Sequence, residues 1–196
     1  MKPERLTAFT DGVIAVIITI MVLEMKAPMG ASFHDLSALV PQMLCYVLSF
    51  VYVAIYWVNH HHFFQLVRRV NGAILWSNLN LLFWLSLVPF TTAWLGNHDT
   101  DALPTATYGV SLLLAAVSWV IMQGTIVRSQ GPASDLAKAL GGDFKGRIAL
   151  VIYFAGIGLA FMNVLLADAM YAIVALMWLV PDRRIEKFLE AQSRDV

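Results

Sequence analysis

Six apolar runs, joined by polar connections that hold the basic residues almost entirely on one side, constrain this 196-residue chain more than any other feature. A backbone that enters hydrocarbon loses water as a hydrogen-bond partner, so each run must satisfy its own amides as a helix. The pattern restricts the chain to an all-α, polytopic membrane fold. The runs lie at about 8–25, 38–59, 72–95, 107–127, 148–165 and 167–180. Pro104 precedes the fourth, Pro181 ends the sixth, and a tight turn near Ala167–Asp168 separates the last two. Charged residues make up 13% of the chain, against roughly 25% in soluble domains, so the apolar excess reads as membrane and not as a large soluble core.

Lys and Arg set the orientation. With the N-terminus, the 60–71 loop, the 128–147 loop and the C-terminal tail on one side, that side holds twelve basic residues and the other only Lys26. A split this strong places both termini in the cytoplasm, supports the count of six, and points to an inner cell membrane in contact with lipid on its flanks. The outer loops carry Glu24, Asp35, Asp99, Asp101 and Asp168, an anionic surface that concentrates cations. The net charge is zero, which gives no reason to expect nucleic acid as a partner. Residues 1–196 read as one membrane domain, with a turn and short interfacial helix expected in 128–147 and a charged helical extension over about 182–196. Lys2 and Arg5 ahead of the first run resemble a signal peptide. Asp11 abuts the apolar stretch, however, and no small-x-small cleavage site follows Leu23, so the run is expected to be retained.

That first run is unusual. Residues 13–23 are apolar except for Thr19, with Asp11 and Glu24 at the two ends. Eleven helical residues rise only about 16 Å against a hydrocarbon core of roughly 30 Å. Such a helix is expected to be shielded by other helices. On a helical period Phe9, Gly12, Val16, Thr19/Ile20 and Leu23 form one stripe. The stripe can face lipid, pack on other helices, or line a narrow pore; spacing alone favours packing. Arg5 and Asp11 lie on different faces and do not pair with each other. Asp11 therefore needs a partner from another helix, with Trp57, His60, His61 and His62 at the end of the second run and Asn78 or Asn80 in the third as candidates.

Elsewhere the polar residues have plainer readings. Consecutive histidines point about 100° apart on a helix, so His60–His61–His62 is read as an interfacial cluster with one member bonded to the first helix, not as a metal site. Asn78, Asn80, Thr91 and Thr92 are expected to face protein, with a kink near Pro89. Asn163 and Asp168 are expected at the solvent-exposed turn, and the single Cys45 is a packing residue with no disulfide. No nucleophile–base pair, paired carboxylate or phosphate-binding glycine loop is present, so nothing indicates an enzyme or a bound cofactor. Thr107-Tyr108-Gly109-Val110 shares letters with a potassium-channel carbonyl filter but not its order.

The segment Arg5-x-x-x-Phe9-Thr10-Asp11, followed by Gly12 to Glu24, resembles the first helix of the bacterial relatives of the lysosomal potassium channel transmembrane protein 175, whose pattern is Arg-x-x-x-Phe-Ser-Asp. Length, span count and topology agree over the whole chain. The resemblance implies a homotetramer of six-helix subunits whose first helices line a central pore passing potassium and other monovalent cations, with no cofactor. It implies a constriction at Val16, a threonine layer at Thr19, further layers at Ile20 and Leu23, and support of the pore helix by Arg5, Phe9, Thr10 and Asp11. Thr10 stands where the family has Ser, and Val16 where Ile or Leu is common, which implies a wider constriction. The alternative is a small proton- or cation-coupled transporter that uses Asp11 and His60–His62 as a relay.

Overall fold

In the computed structural model, which describes residues 2–131, 134 and 144–179, the described residues are helical apart from short connections. Helix α1 spans Pro3–Leu23, α2 Phe33–Ser37, α3 Val40–Gln65, α4 Gly72–Ser86, α5 Val88–Asn97, α6 Ala102–Gln130, α7 Phe144–Ala160 and α8 Val164–Leu179. Four stretches are long and apolar enough to cross a membrane: α1, α3, Gly72–Asn97 (α4 with α5) and α6; α8 is apolar but shorter. The interfacial helix expected in 128–147 falls largely, and the tail over 182–196 wholly, outside the described residues.

The first helix corrects the sequence reading. It has 21 residues, because Pro3 occupies its first turn and the polar Arg5–Asp11 stretch is already helical. At 1.5 Å per residue it is about 31 Å long, enough to span unaided. The apolar count over 13–23 takes only about half of it, whereas the run at about 8–25 misses its first turn and a half. Similarly, α3 runs on to Gln65, which puts His60–His62 inside the helix and shortens the following connection to residues 66–71. Asn71 then caps α4, its side chain accepting from the Ile74 amide at 3.0 Å.

The third run is broken at Leu87, between α4 and α5, as Pro89 requires: a proline two residues into α5 has no amide to continue the α4 ladder. The turn between the last two helices falls at Phe161–Asn163, earlier than the sequence suggested. Ala167 is buried within α8 and Asp168 is half-buried, so the expected solvent exposure holds for Asn163 only. Asn163 also accepts from the Leu166 amide at 3.2 Å and so opens α8.

Two apolar cores result. One joins α1, α3, α4, α5 and α6 through Leu6, Ile14, Ile17, Met21, Phe63, Ile74, Leu81 and Met122. The other joins α3, α5, α6, α7 and α8 around Tyr108 and Tyr171. Tyr171 is wholly buried because α6 and α7 present glycines to it. A Cβ at Gly109 would sit 2.0 Å from the Tyr171 hydroxyl, and one at Gly156 would sit 2.6 Å from its ring. Hydroxyls inside this core are paired across helices, as expected of Thr91 and Thr92: Thr92 donates to Ser49 at 2.7 Å, Ser49 meets Tyr108 at 2.9 Å, and Thr91 meets Ser111 at 3.2 Å.

Candidate functional site

Helix α1 is anchored along one side only. Leu6, Thr10, Ile14, Ile17 and Met21 recur at three- and four-residue intervals and are buried against α3, α4 and α5. The opposite side is bare. Arg5, Phe9, Gly12, Val16, Thr19, Ile20 and Leu23 are all exposed, Val16 by 55% and Leu23 by 78%. Nothing lies within 4 Å of a Cβ built at Gly12. Among the described residues, therefore, the stripe does not pack on other helices, which is the reading that spacing alone favoured. Arg5 and Phe9 belong to this free face, and no side-chain hydrogen bond or ion pair joins them to another described residue. The Thr19 hydroxyl donates to the Val16 carbonyl at 2.9 Å, so its oxygen lone pairs face outward as acceptors.

Polar contacts hold the anchored side in register. The Trp57 indole N–H donates to Asp11 Oδ1 at 2.9 Å, joining α3 to α1. One residue earlier, the Thr10 hydroxyl accepts from Asn78 Nδ2 at 2.9 Å, and Asn78 Oδ1 meets His60 Nε2 at 2.9 Å. Because Asn78 Oδ1 can only accept, His60 Nε2 carries the proton. Thr10, Asn78 and His60 are buried, and they tie α1, α4 and α3 together. His60 also stacks on Phe64 with ring centroids 4.2 Å apart.

Of the candidate partners for Asp11, the structure selects Trp57. His60 reaches α1 only through Asn78, not directly. Asn80, two residues from Asn78, points to another face and donates to Ser118 on α6 at 2.7 Å. His61 meets Gln65 on its own helix at 3.0 Å, and His62 is half-buried beside the His61 ring. Asp11 and the three histidines therefore do not form one relay among the described residues, because the helix turns each successive histidine to a different neighbour. Sequence reasoning found the members of the Thr10–Asn78–His60 chain but not its order, since Asn78 was a candidate for Asp11 and serves Thr10.

A short helix in the first connection, α2, was not anticipated. Its signal was Ser32 three residues ahead of Asp35: the Asp35 amide donates to Ser32 Oγ at 3.2 Å and the Ser32 amide to Asp35 Oδ2 at 3.0 Å. Hydrogen bonds from the Ser32 side chain and backbone hold the Asp35 carboxyl below its ordinary range.

Taken together, the long apolar helices and the one-sided anchoring of α1 define a polytopic helical membrane protein with one transmembrane helix face left open along its length. Residues 5–89, which hold α1 and its anchor, match the family described as endosomal/lysosomal potassium channel TMEM175. The chain is 49% identical over 190 residues to a potassium channel of Chryseobacterium sp., covering 97% of this chain and 99% of that one. It is 31% identical to a potassium channel of Streptomyces collinus, covering 88% and 89%. The fold superposes on the crystal structure of a lysosomal potassium-selective channel TMEM175 homolog from Chamaesiphon minutus with a TM-score of 0.81 and 26% identity, covering 92% of this chain and 97% of that one. The chain belongs to the TMEM175 family.

Proposed function

We propose that the protein is a potassium-permeable cation channel of the cell membrane, conducting passively through a pore lined by α1 from four copies of the chain. Each subunit contributes six membrane-spanning helices, with α7 and α8 as a short hairpin and both termini cytoplasmic. The observation that carries this reading is the bare face of α1, which holds Phe9, Gly12, Val16, Thr19, Ile20 and Leu23. One helix encloses nothing, so a pore on this face requires several copies in a closed ring. Val16 narrows the pore, Ile20 and Leu23 form further apolar layers, and the outward lone pairs of Thr19 receive a partly dehydrated cation. Potassium sheds hydration more readily than sodium, which gives a modest preference. Asp11 and Thr10, bonded to Trp57 and Asn78, fix the rotation of the helix about its axis and so decide which residues face the ions.

The test is reconstitution in planar bilayers under a potassium/sodium gradient. The expected result is ohmic current with a reversal potential displaced toward that of potassium. A reversal potential at zero, or saturable flux that depends on a co-substrate, overturns the reading. Val16→Cys should make the current sensitive to Ag⁺ from the aqueous phase, and insensitivity removes Val16 as the constriction.

A further inference from the structure

A cavity of about 40 Å³ lies inside the subunit among α3, α6, α7 and α8. Its walls include Tyr56 and Asn59 of α3, Trp119 and Val120 of α6, Gly146 of α7 and Trp178 of α8. Helices α1 and α5 contribute nothing to it, so one copy of the chain forms it whether or not its α1 face is covered. Gly146 stands in the first turn of α7 and Trp178 in the last turn of α8. The cavity therefore reaches the end of the bundle that the proposed topology makes cytoplasmic.

The lining presents almost only carbon to this space. The Tyr52 hydroxyl donates to the Tyr171 carbonyl, and the Asn59 amide donates to the Ile55 carbonyl at 2.8 Å. By volume the cavity holds about three waters, but each water needs roughly two to four polar partners, which such walls do not supply. A void lined by carbon forfeits dispersion contacts and takes an apolar guest. Val120, 40% exposed, carries the lining out to the surface of the bundle, where the surrounding medium is hydrocarbon.

Charge at the mouth has one sign. Lys145 Nζ stands 6.0 Å from the centroid of the Trp178 ring, and Arg147, on the far side of Gly146 in the chain, is exposed. No Asp or Glu lies in α3, α6 or α7, and α8 has only Asp168, near its start at the opposite end. Basic side chains and an indole at a membrane boundary, above a cleft of carbon, complement a molecule with an anionic head and a hydrocarbon chain.

We propose that this cavity takes an acyl chain of an anionic phospholipid from the cytoplasmic leaflet, with the lipid phosphate at Lys145 and Arg147. The choice of leaflet rests on the topology proposed above; the binding does not rest on conduction.

The experiment titrates dioleoylphosphatidylglycerol onto the purified full-length protein in detergent and counts bound lipid by native mass spectrometry. Dioleoylphosphatidylcholine, with the same chains and no net charge, is run beside it. Expected is saturable binding of the anionic lipid, about tenfold tighter than the zwitterionic one. Lys145→Gln and Arg147→Gln each weaken it about fivefold, while Arg69→Gln, on the connection after α3, leaves it unchanged. Ala116→Leu pushes a side chain into the cavity and weakens binding about tenfold without lowering the unfolding temperature; Ala149→Val fills the same space from α7 should the first variant fail to fold. Equal affinity for the two lipids, an equal loss in Arg69→Gln, or full affinity in a folded cavity-filling variant overturns the proposal. Binding to a protein that carries no current leaves this site assigned and sinks the channel reading; current without this binding does the reverse.

Discussion

Thr10 shows how a single side chain can set which face of a helix stays free. It is fully buried, and its hydroxyl accepts a hydrogen bond from Asn78 Nδ2. Thr10→Val keeps the shape but leaves the Asn78 N–H unpaired in an apolar setting, and is expected to destabilise the protein by about 1–3 kcal/mol in thermal unfolding. Thr10→Ser keeps the bond and gives up one buried methyl, about 1 kcal/mol. If Thr10→Val proves no worse than Thr10→Ser, the hydrogen bond is not what anchors the helix. Trp57→Phe removes the donor to Asp11, and its effect should appear as altered conductance at nearly unchanged expression, because Trp57 is exposed and carries little of the core. The identities of Trp57, Asn78 and His60 as polar partners were legible in the sequence, because a carboxylate or amide at membrane depth must find one. Which partner meets which was not, because the pairing depends on how α1, α3 and α4 are rotated against each other.

At the scale of elements, two glycines and one proline shape the bundle. Gly156→Ala and Gly109→Ala drive a methyl into Tyr171, and each is expected to cost about 1–3 kcal/mol by overpacking. Gly12→Ala meets nothing within the subunit and gains helix propensity, so it should stabilise α1 by up to about 1 kcal/mol in the isolated chain. A loss of conductance in Gly12→Ala without loss of stability would mark the bare face as functional; unchanged conductance would leave it as lipid-facing surface. Helix α2 is held by its Ser32–Asp35 box. The Asp35 carboxyl is held below its ordinary value when folded, so its contribution is present above the unfolded value and is lost as pH falls through the folded one. Protection factors in residues 33–37, referred to the intrinsic exchange rate at each pH, should therefore fall in acid, and protection that stays constant with pH would contradict it. Pro89 announced the break in the third run correctly, since a missing amide is a local fact. The length of α1 was misjudged because hydropathy counts apolar residues, whereas the helix continues through Arg5–Asp11 on the strength of its anchored face.

For the whole molecule, the two cores divide the labour. The core around Tyr171 builds a stable body from α3, α5, α6, α7 and α8, while the other core clamps α1 to that body by one side. Met43, Val47, Phe50 and Trp57 on α3 and Phe90 on α5 are exposed, and both helices pack against α1. The closed ring proposed above would bring the α3 flank of one copy against the α5 flank of the next. Cysteine pairs placed across these flanks, Phe50→Cys with Phe90→Cys, should crosslink into multiples up to four chains on oxidation; crosslinking that stops at two chains would rule out the ring. The sequence by itself determined the class of fold, the number and order of its apolar runs, the sidedness of its charge and the stripe on the first helix, because hydropathy, periodicity and basic-residue placement are properties of the chain alone. Only the tertiary structure decided that this stripe is left uncovered by the other described helices, and that Trp57 and the Thr10–Asn78–His60 chain fix it so. Which face of a helix remains free is set by how its neighbours pack, and residues 46 and 68 positions away supply the contacts that decide it.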